Sequence, residues 1–175
     1  MVKSRRTPHD FETPRKLMQI RKAITEMGMH GFGYDKERYE ARIQKFAESV
    51  TNFERKDEIV ASMRAKNQAY YADFAKEEIK VTRDFVRKMA CEFEMGNSIF
   101  PSGLAKVAEF RERRKHLDEC IGWLHATKLE LQYIAEILPV DKNKFVNISN
   151  DIEQAIVMVK GVRRAANKFL KQNTG

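Results

Sequence analysis

A chain of 175 residues, 42% hydrophobic and 33% charged, with 8 Gly and 4 Pro, has the size for one folded domain and too few disorder-promoting residues for an unstructured segment. Its net charge of +8 sits at the two ends: residues 1–34 hold seven Lys/Arg against three acids, and residues 154–175 hold five against none. That polarity favours an anionic partner, while two cysteines, Cys91 and Cys120, distant from any CxxC or Cys/His grouping, exclude a disulfide framework.

Residues 1–15 are basic but lack the apolar stretch and small-residue cleavage site of a secretory signal, and no run approaches the roughly 18 apolar residues of a membrane span. The expectation is a cytoplasmic protein without a membrane partner. Thr13-Pro14 reads as an N-cap followed by proline at the first helical position, opening a short helix to about residue 27 with Leu17, Ile20, Ile24 and Met27 as its stripe. Gly28, Gly31 and Gly33 in GMHGFG then break the pattern. They lack the preceding strand and following helix of a phosphate-cradling loop, and read as a linker or hinge.

Residues 34–95 contain neither Gly nor Pro. Tyr39, Ile43, Phe46, Val50 and Phe53 keep helical spacing until Asp57 falls on the stripe, which places a break between Val50 and Asp57. The helix that follows, 57–95, is apolar on two sides. Met63, Tyr70, Phe74, Val81 and Phe85 make one stripe, and Ala75, Ile79, Val86, Ala90 and Phe93 another, so it is either central to its own bundle or covered by a second subunit. Gly96-Asn97 and Pro101-Ser102-Gly103 end it. Residues 104–138 form the next helix, Pro139 stops that one, and Asp141 caps a last helix joined by a short antiparallel connection. The fold class is all-α: an antiparallel four-helix bundle over 34–175, with an additional short N-terminal helix in a basic arm, 1–33.

Along the last helix Lys160, Arg164, Lys168 and Lys171 fall on one face, opposite Ile148, Ile152, Ile156, Val159 and Ala166. A solvated surface helix mixes acids among its bases, and over residues 154–175 they are missing, which points to a polyanion-binding face. In EFRERRKHLDE, Arg111, Arg114 and Lys115 occupy one flank and are the other candidates for phosphate contacts, together with Arg5 and Arg6 in the arm. Arg113 and Arg163 lie in phase with apolar stripes and need partners. Glu77, Glu78 and Glu92, on the two-faced helix, are the expected structural ion-pair members.

The stretch 84–170, with EMGNSIFP, then EFRERRKHLDECIGWLHATKLELQYIAEILPVDKNKF, then ISNDIEQAIVMVKGVRR, resembles the four-helix-bundle proteins that include the accessory variability determinant of diversity-generating retroelements and the 23S ribosomal RNA intervening-sequence proteins. The resemblance lies in Cys120-Ile121-x-x-Leu124, in Leu138-Pro139-x-x-Lys142, and in a glycine before a basic group, Gly161-Val162-Arg163-Arg164, where several relatives have Gly-Gly-Trp. It implies a basic, ring-forming homo-oligomer, a pentamer in the family, that binds a reverse transcriptase and its template RNA and supports cDNA synthesis without being catalytic.

Catalytic chemistry finds no foothold, and no cofactor is implied. His9, His30, His116 and His125 include no Glu-x-x-His, so the di-iron pattern of ferritin-like bundles is absent; His116 and Glu119 share a helix face but no second such pair exists, and no metal site is expected. Cys91, on an apolar helix, reads as a buried, inert thiol. Trp123, Tyr70 and Tyr71 read as core, and Tyr133, opposite the stripe of its helix, as the one aromatic surface contact. Two functions follow: an RNA-binding accessory subunit of a reverse transcriptase, or a helical scaffold or assembly protein of a phage or mobile element whose basic faces only keep it soluble.

Overall fold

Helix is continuous wherever the sequence lacks glycine and weak helix formers, and its breaks fall at those residues and at a crowd of tyrosines. The computed structural model describes the backbone of residues 8–50, 54–101 and 106–172, and side chains within 12–50, 54–101 and 106–166. These residues form six helices: α1 (Pro8–Met29), α2 (Lys36–Ser49), α3 (Lys56–Ala69), α4 (Tyr71–Ser98), α5 (Lys106–Ile137) and α6 (Asn143–Gln172). The protein is an all-α helical bundle, and no strand occurs among the described residues.

The four walls are α1, α4, α5 and α6, with α1 and α5 each packed between α4 and α6. Each wall is antiparallel to both neighbours. Lys16 meets Asp151 while Gly33 meets Lys144; Phe85 meets Trp123 while Glu92 meets His116; Lys128 meets Glu153 while Asp118 meets Arg163. The N-terminal helix is therefore a wall rather than an appendage. It buries Leu17, Ile20 and Ile24 to 1% exposure or less in one continuous core with Met89, Phe93, Leu117, Leu124, Ile152 and Val159. A fully buried aliphatic side chain contributes about 1.5–3 kcal/mol, so three in register outweigh any tendency of the basic segment to stay apart.

The added element is the α2–α3 hairpin, inserted between the first and second walls. Its only buried apolar residues among those described are Ile43 and Val60, too little surface to make a wall. Polar contacts hold it instead. Arg64 donates to Glu40 at 2.7 Å and to Gln44 at 2.8 Å, and buried Asn67 accepts from the Tyr34 hydroxyl and donates to the Lys36 carbonyl at 3.2 Å.

The break between Val50 and Asp57 is found, since α2 ends at Ser49 and α3 starts at Lys56. A second break, at Tyr70 (φ −126°, ψ −55°), divides the expected 57–95 helix into α3 and α4. There the Tyr71 ring packs edge-on against Tyr34 at 5.7 Å, Tyr39 at 5.8 Å and Tyr70 at 6.1 Å, an arrangement that a straight helix would not bring together. The start of α1 also differs from expectation. The helix runs through Pro14 from Pro8, and Thr13 is buried within it instead of capping it.

The GMHGFG segment is a fixed reversal. Gly31, Phe32 and Gly33 all have positive φ (57°, 57° and 87°), and Phe32, the only non-glycine residue so placed among those described, is fully buried. Gly96 likewise does not end α4 but lies buried within its last turn. A Cβ there would stand 3.2 Å from the Arg113 carbonyl oxygen and 3.2 Å from His116 Cβ, so glycine lets α4 and α5 approach closely. Asp141 accepts from the Asn143 N–H at 3.0 Å and starts α6 as the sequence suggests.

The two apolar faces of α4 are both covered within the chain. Phe74 and Phe85 pack against Tyr133 and Trp123 of α5, while Ile79 lies against Gly28 of α1. No described helix is long and apolar enough to cross a membrane.

Candidate nucleic-acid interface

The basic residues predicted on α6 divide into three groups. Arg164 is exposed and Lys160 is half-buried beside Glu153, whose carboxyl is held below its usual range chiefly by Lys128. Lys168 and Lys171 lie on the α6 backbone, with side chains outside the described set, and Arg5 and Arg6 lie outside the described residues altogether. Arg163 donates to Asp118 of α5.

Antiparallel packing brings the start of α5 to the end of α6, and Asp118 also stands 3.5 Å from Arg114, one turn earlier on α5. Lys115 stands 3.8 Å from Glu119, while the exposed Arg111 has no ion-pair partner among the described residues. The flank read as a phosphate surface is thus partly neutralised by its own helix.

The expected structural ion pairs are different from those found. Glu77 is exposed and pairs with Lys80 at 2.8 Å. Glu78 is half-buried with an Oε2 that has no hydrogen-bond partner, and its carboxyl is pushed up to about 7, first by burial and then by its hydrogen bond to and the charge of Glu130. Glu92 pairs with His116 at 2.7 Å. None of the three meets Arg113 or Arg163. Arg113 reaches the Ile99 carbonyl at 3.1 Å instead, tying down the exit from α4, because stripe phase places a residue around a helix without saying which neighbour faces it.

A further basic surface, absent from the sequence expectations, lies in the seam between α1 and α4. An open groove of about 670 Å³ is lined by Arg21, Lys22, Lys80, Arg83 and Arg87, with Glu26 and Asp84 as its only acids among the described residues. Lys22 reaches Glu26 at 3.7 Å and Arg87 reaches Asp84 at 2.8 Å. Asp84 is held below its usual range by Lys88 first and then Arg87. Arg21 and Arg83 have no ion-pair partner among the described residues. The spacing of Lys80, Arg83 and Arg87 marks one face of α4, but the groove needs α1 antiparallel beside it, and a helix assigned to an arm supplies no second wall.

Among the described residues no aromatic ring lines this groove. Tyr133 is 45% exposed with its ring edge on Phe74 at 5.6 Å, and Trp123 packs on Phe85 at 5.4 Å with the Lys88 ammonium 4.5 Å above it.

Cys91 is exposed, contrary to its reading as a buried thiol, because it falls on the solvent side of α4; Cys120 is buried and its thiol is pushed up to about 12, mainly by burial. Glu92, His116 and Glu119 gather on the α4–α5 seam with their ligand atoms within 4.8 Å of one another. The second carboxylate comes from across the seam, where spacing along α5 alone does not reach.

Comparison with family models, with curated proteins and with solved structures returns no match. The resemblance of 84–170 to the retroelement accessory proteins stands on its motifs alone.

Proposed function

We propose that this protein is a non-catalytic helical bundle that binds RNA by its phosphate backbone, with the α1–α4 groove as the principal contact. The observation that carries the reading is the charge of that groove: five cations against two acids, with Arg21 and Arg83 unpaired across the seam. Two unpaired arginines on rigid helices form a site whose repulsion a polyanion relieves, and each phosphate neutralised releases a counterion. An open groove without an aromatic platform suits the sugar-phosphate backbone better than bases, so the recognition is of charge and shape. Arg111 and Arg164, on the opposite α5–α6 seam, supply a second and weaker surface. The motif resemblance adds a reverse transcriptase as the protein partner of this reading, and a homo-oligomer as its working form.

The competing reading, a scaffold or assembly protein, draws on exposed Met95, Phe100 and Val107 around the α4–α5 connection. Salt separates the two. RNA affinity measured by fluorescence anisotropy is expected to fall linearly on a log–log plot, with a slope of about −0.7 to −0.9 for each phosphate neutralised. A flat or absent dependence overturns the RNA reading, and light scattering that returns only a 20.5 kDa particle at high concentration overturns the oligomer.

A further inference from the structure

We propose that Glu92, His116 and Glu119 form a binding site for a divalent metal ion of the Zn²⁺ type, which clips α4 to α5. The donors converge from two helices. His116 and Glu119 stand three residues apart on one face of α5, Glu92 comes from α4, and all three ligand atoms lie within 4.8 Å. Gly96, one turn beyond Glu92, brings the two backbones close enough for this, with a Cβ at that position meeting His116 Cβ at 3.2 Å.

Charge favours the same conclusion. Two carboxylates flank one imidazole in a seam where Glu92 and His116 side chains are 17% and 19% exposed. Among the described residues Glu92 has His116 as its sole hydrogen-bond or ion-pair partner, and Glu119 has only the largely exposed Lys115, at 3.8 Å. Partial burial strengthens both the repulsion between the carboxylates and the attraction of each for a divalent cation. Ligand atoms roughly 2.0–2.2 Å from a tetrahedral metal sit about 3.4 Å apart. Reaching that spacing requires side-chain rotations that open the 2.7 Å contact of His116 with Glu92 and draw in Glu119.

One imidazole nitrogen with two carboxylate oxygens suits a borderline cation better than Mg²⁺ or Ca²⁺, which ask for six or more oxygens. Three protein ligands leave a fourth position for water. A metal held at His116 Nδ1 takes the place of the hydrogen bond between that nitrogen and Glu92 Oε2. The inference is independent of RNA binding.

The test uses the full chain freed of metal by a chelator. With CoCl2 as the spectroscopic probe, one equivalent is expected to give visible absorption bands of low-symmetry four- or five-coordinate Co²⁺, and ZnCl2 to raise the Tm by several degrees. Glu119→Gln keeps the His116–Glu92 hydrogen bond, so it folds, yet metal affinity is expected to weaken by about 100-fold, at least the cost of disturbing an outer-shell partner. His116→Gln behaves alike, and replacement of the exposed His125 by Gln changes nothing. Absence of both signals in the parent chain overturns the proposal, as does a Glu119→Gln variant that binds as tightly as the parent.

Discussion

Asp118 on α5 accepts Arg163 from α6 and stands 3.5 Å from Arg114, so one carboxylate restrains two arginines of the basic end. Both partners of the Arg163 pair retain solvent contact, at 29% and 41% side-chain exposure, which places the pair among those that contribute little to stability.

Asp118→Asn is therefore expected to lower unfolding free energy by no more than about 1 kcal/mol. It also releases Arg114 and Arg163, and RNA affinity is expected to rise at low salt. Urea denaturation and anisotropy measured on the same variant check both halves, and a collapse of stability contradicts the half-exposed geometry.

Arg21→Gln with Arg83→Gln removes the two unpaired cations of the groove. The Tm is expected to stay nearly constant, since neither side chain is in an ion pair, while the salt slope of RNA binding falls by roughly 1.4 to 1.8 for two lost contacts. An unchanged slope moves the RNA surface away from α1 and α4.

Glu78 makes stability depend on pH. Its carboxyl, raised from 4.5 to about 7, keeps its proton in the folded chain where the unfolded chain has lost it, so the contribution is fully present below about pH 4.5 and is lost as pH rises through 7. Glu78→Gln removes the charged form and is expected to stabilise the protein above pH 7 by on the order of 1 to 3 kcal/mol. Parallel melts at pH 5 and pH 8 test this, the variant gaining only at the higher pH.

Phe32→Ala is expected to cost about 3–5 kcal/mol, the usual range for emptying a buried aromatic site. Phe32→Gly relieves the left-handed backbone but loses the same packing, so it stays well below the parent in stability. Near-parent stability in either variant would mean that the reversal after α1 is held by its glycines alone.

The amphipathic periodicity of this chain makes helix content, the break after Ser49, the Asp141 cap and the antiparallel α4–α5–α6 order legible, because those features rest on local spacing and local caps. Membership of the bundle is less legible. The stripe of Leu17, Ile20 and Ile24 is readable, but a basic, proline-bearing segment followed by three glycines looks detachable, and nothing local announces that Phe32 pins it. The candidate site was half-readable for the same reason. The exposed Arg111 and Arg164 lie on the helix faces assigned to them, whereas the groove and the Glu92–His116–Glu119 cluster are made by pairs of helices, and one helix's period cannot report its neighbour's phase.

The 30–70 insertion has a kinetic meaning. Helices α4, α5 and α6 follow one another through short connections, so their contacts close small loops, but α1 reaches α4 only across the whole hairpin segment. Closing that loop in the unfolded chain costs about 2 kcal/mol more than a roughly five-residue turn, so α1 is expected to dock after the other walls. Because Arg21 and Lys22 ride on α1 while Lys80, Arg83 and Arg87 ride on α4, a polyanion bound as proposed in the seam would bridge the two helices and suppress any opening between them by mass action. Protection of α1 amides from hydrogen exchange thereby becomes a gauge of ligand occupancy.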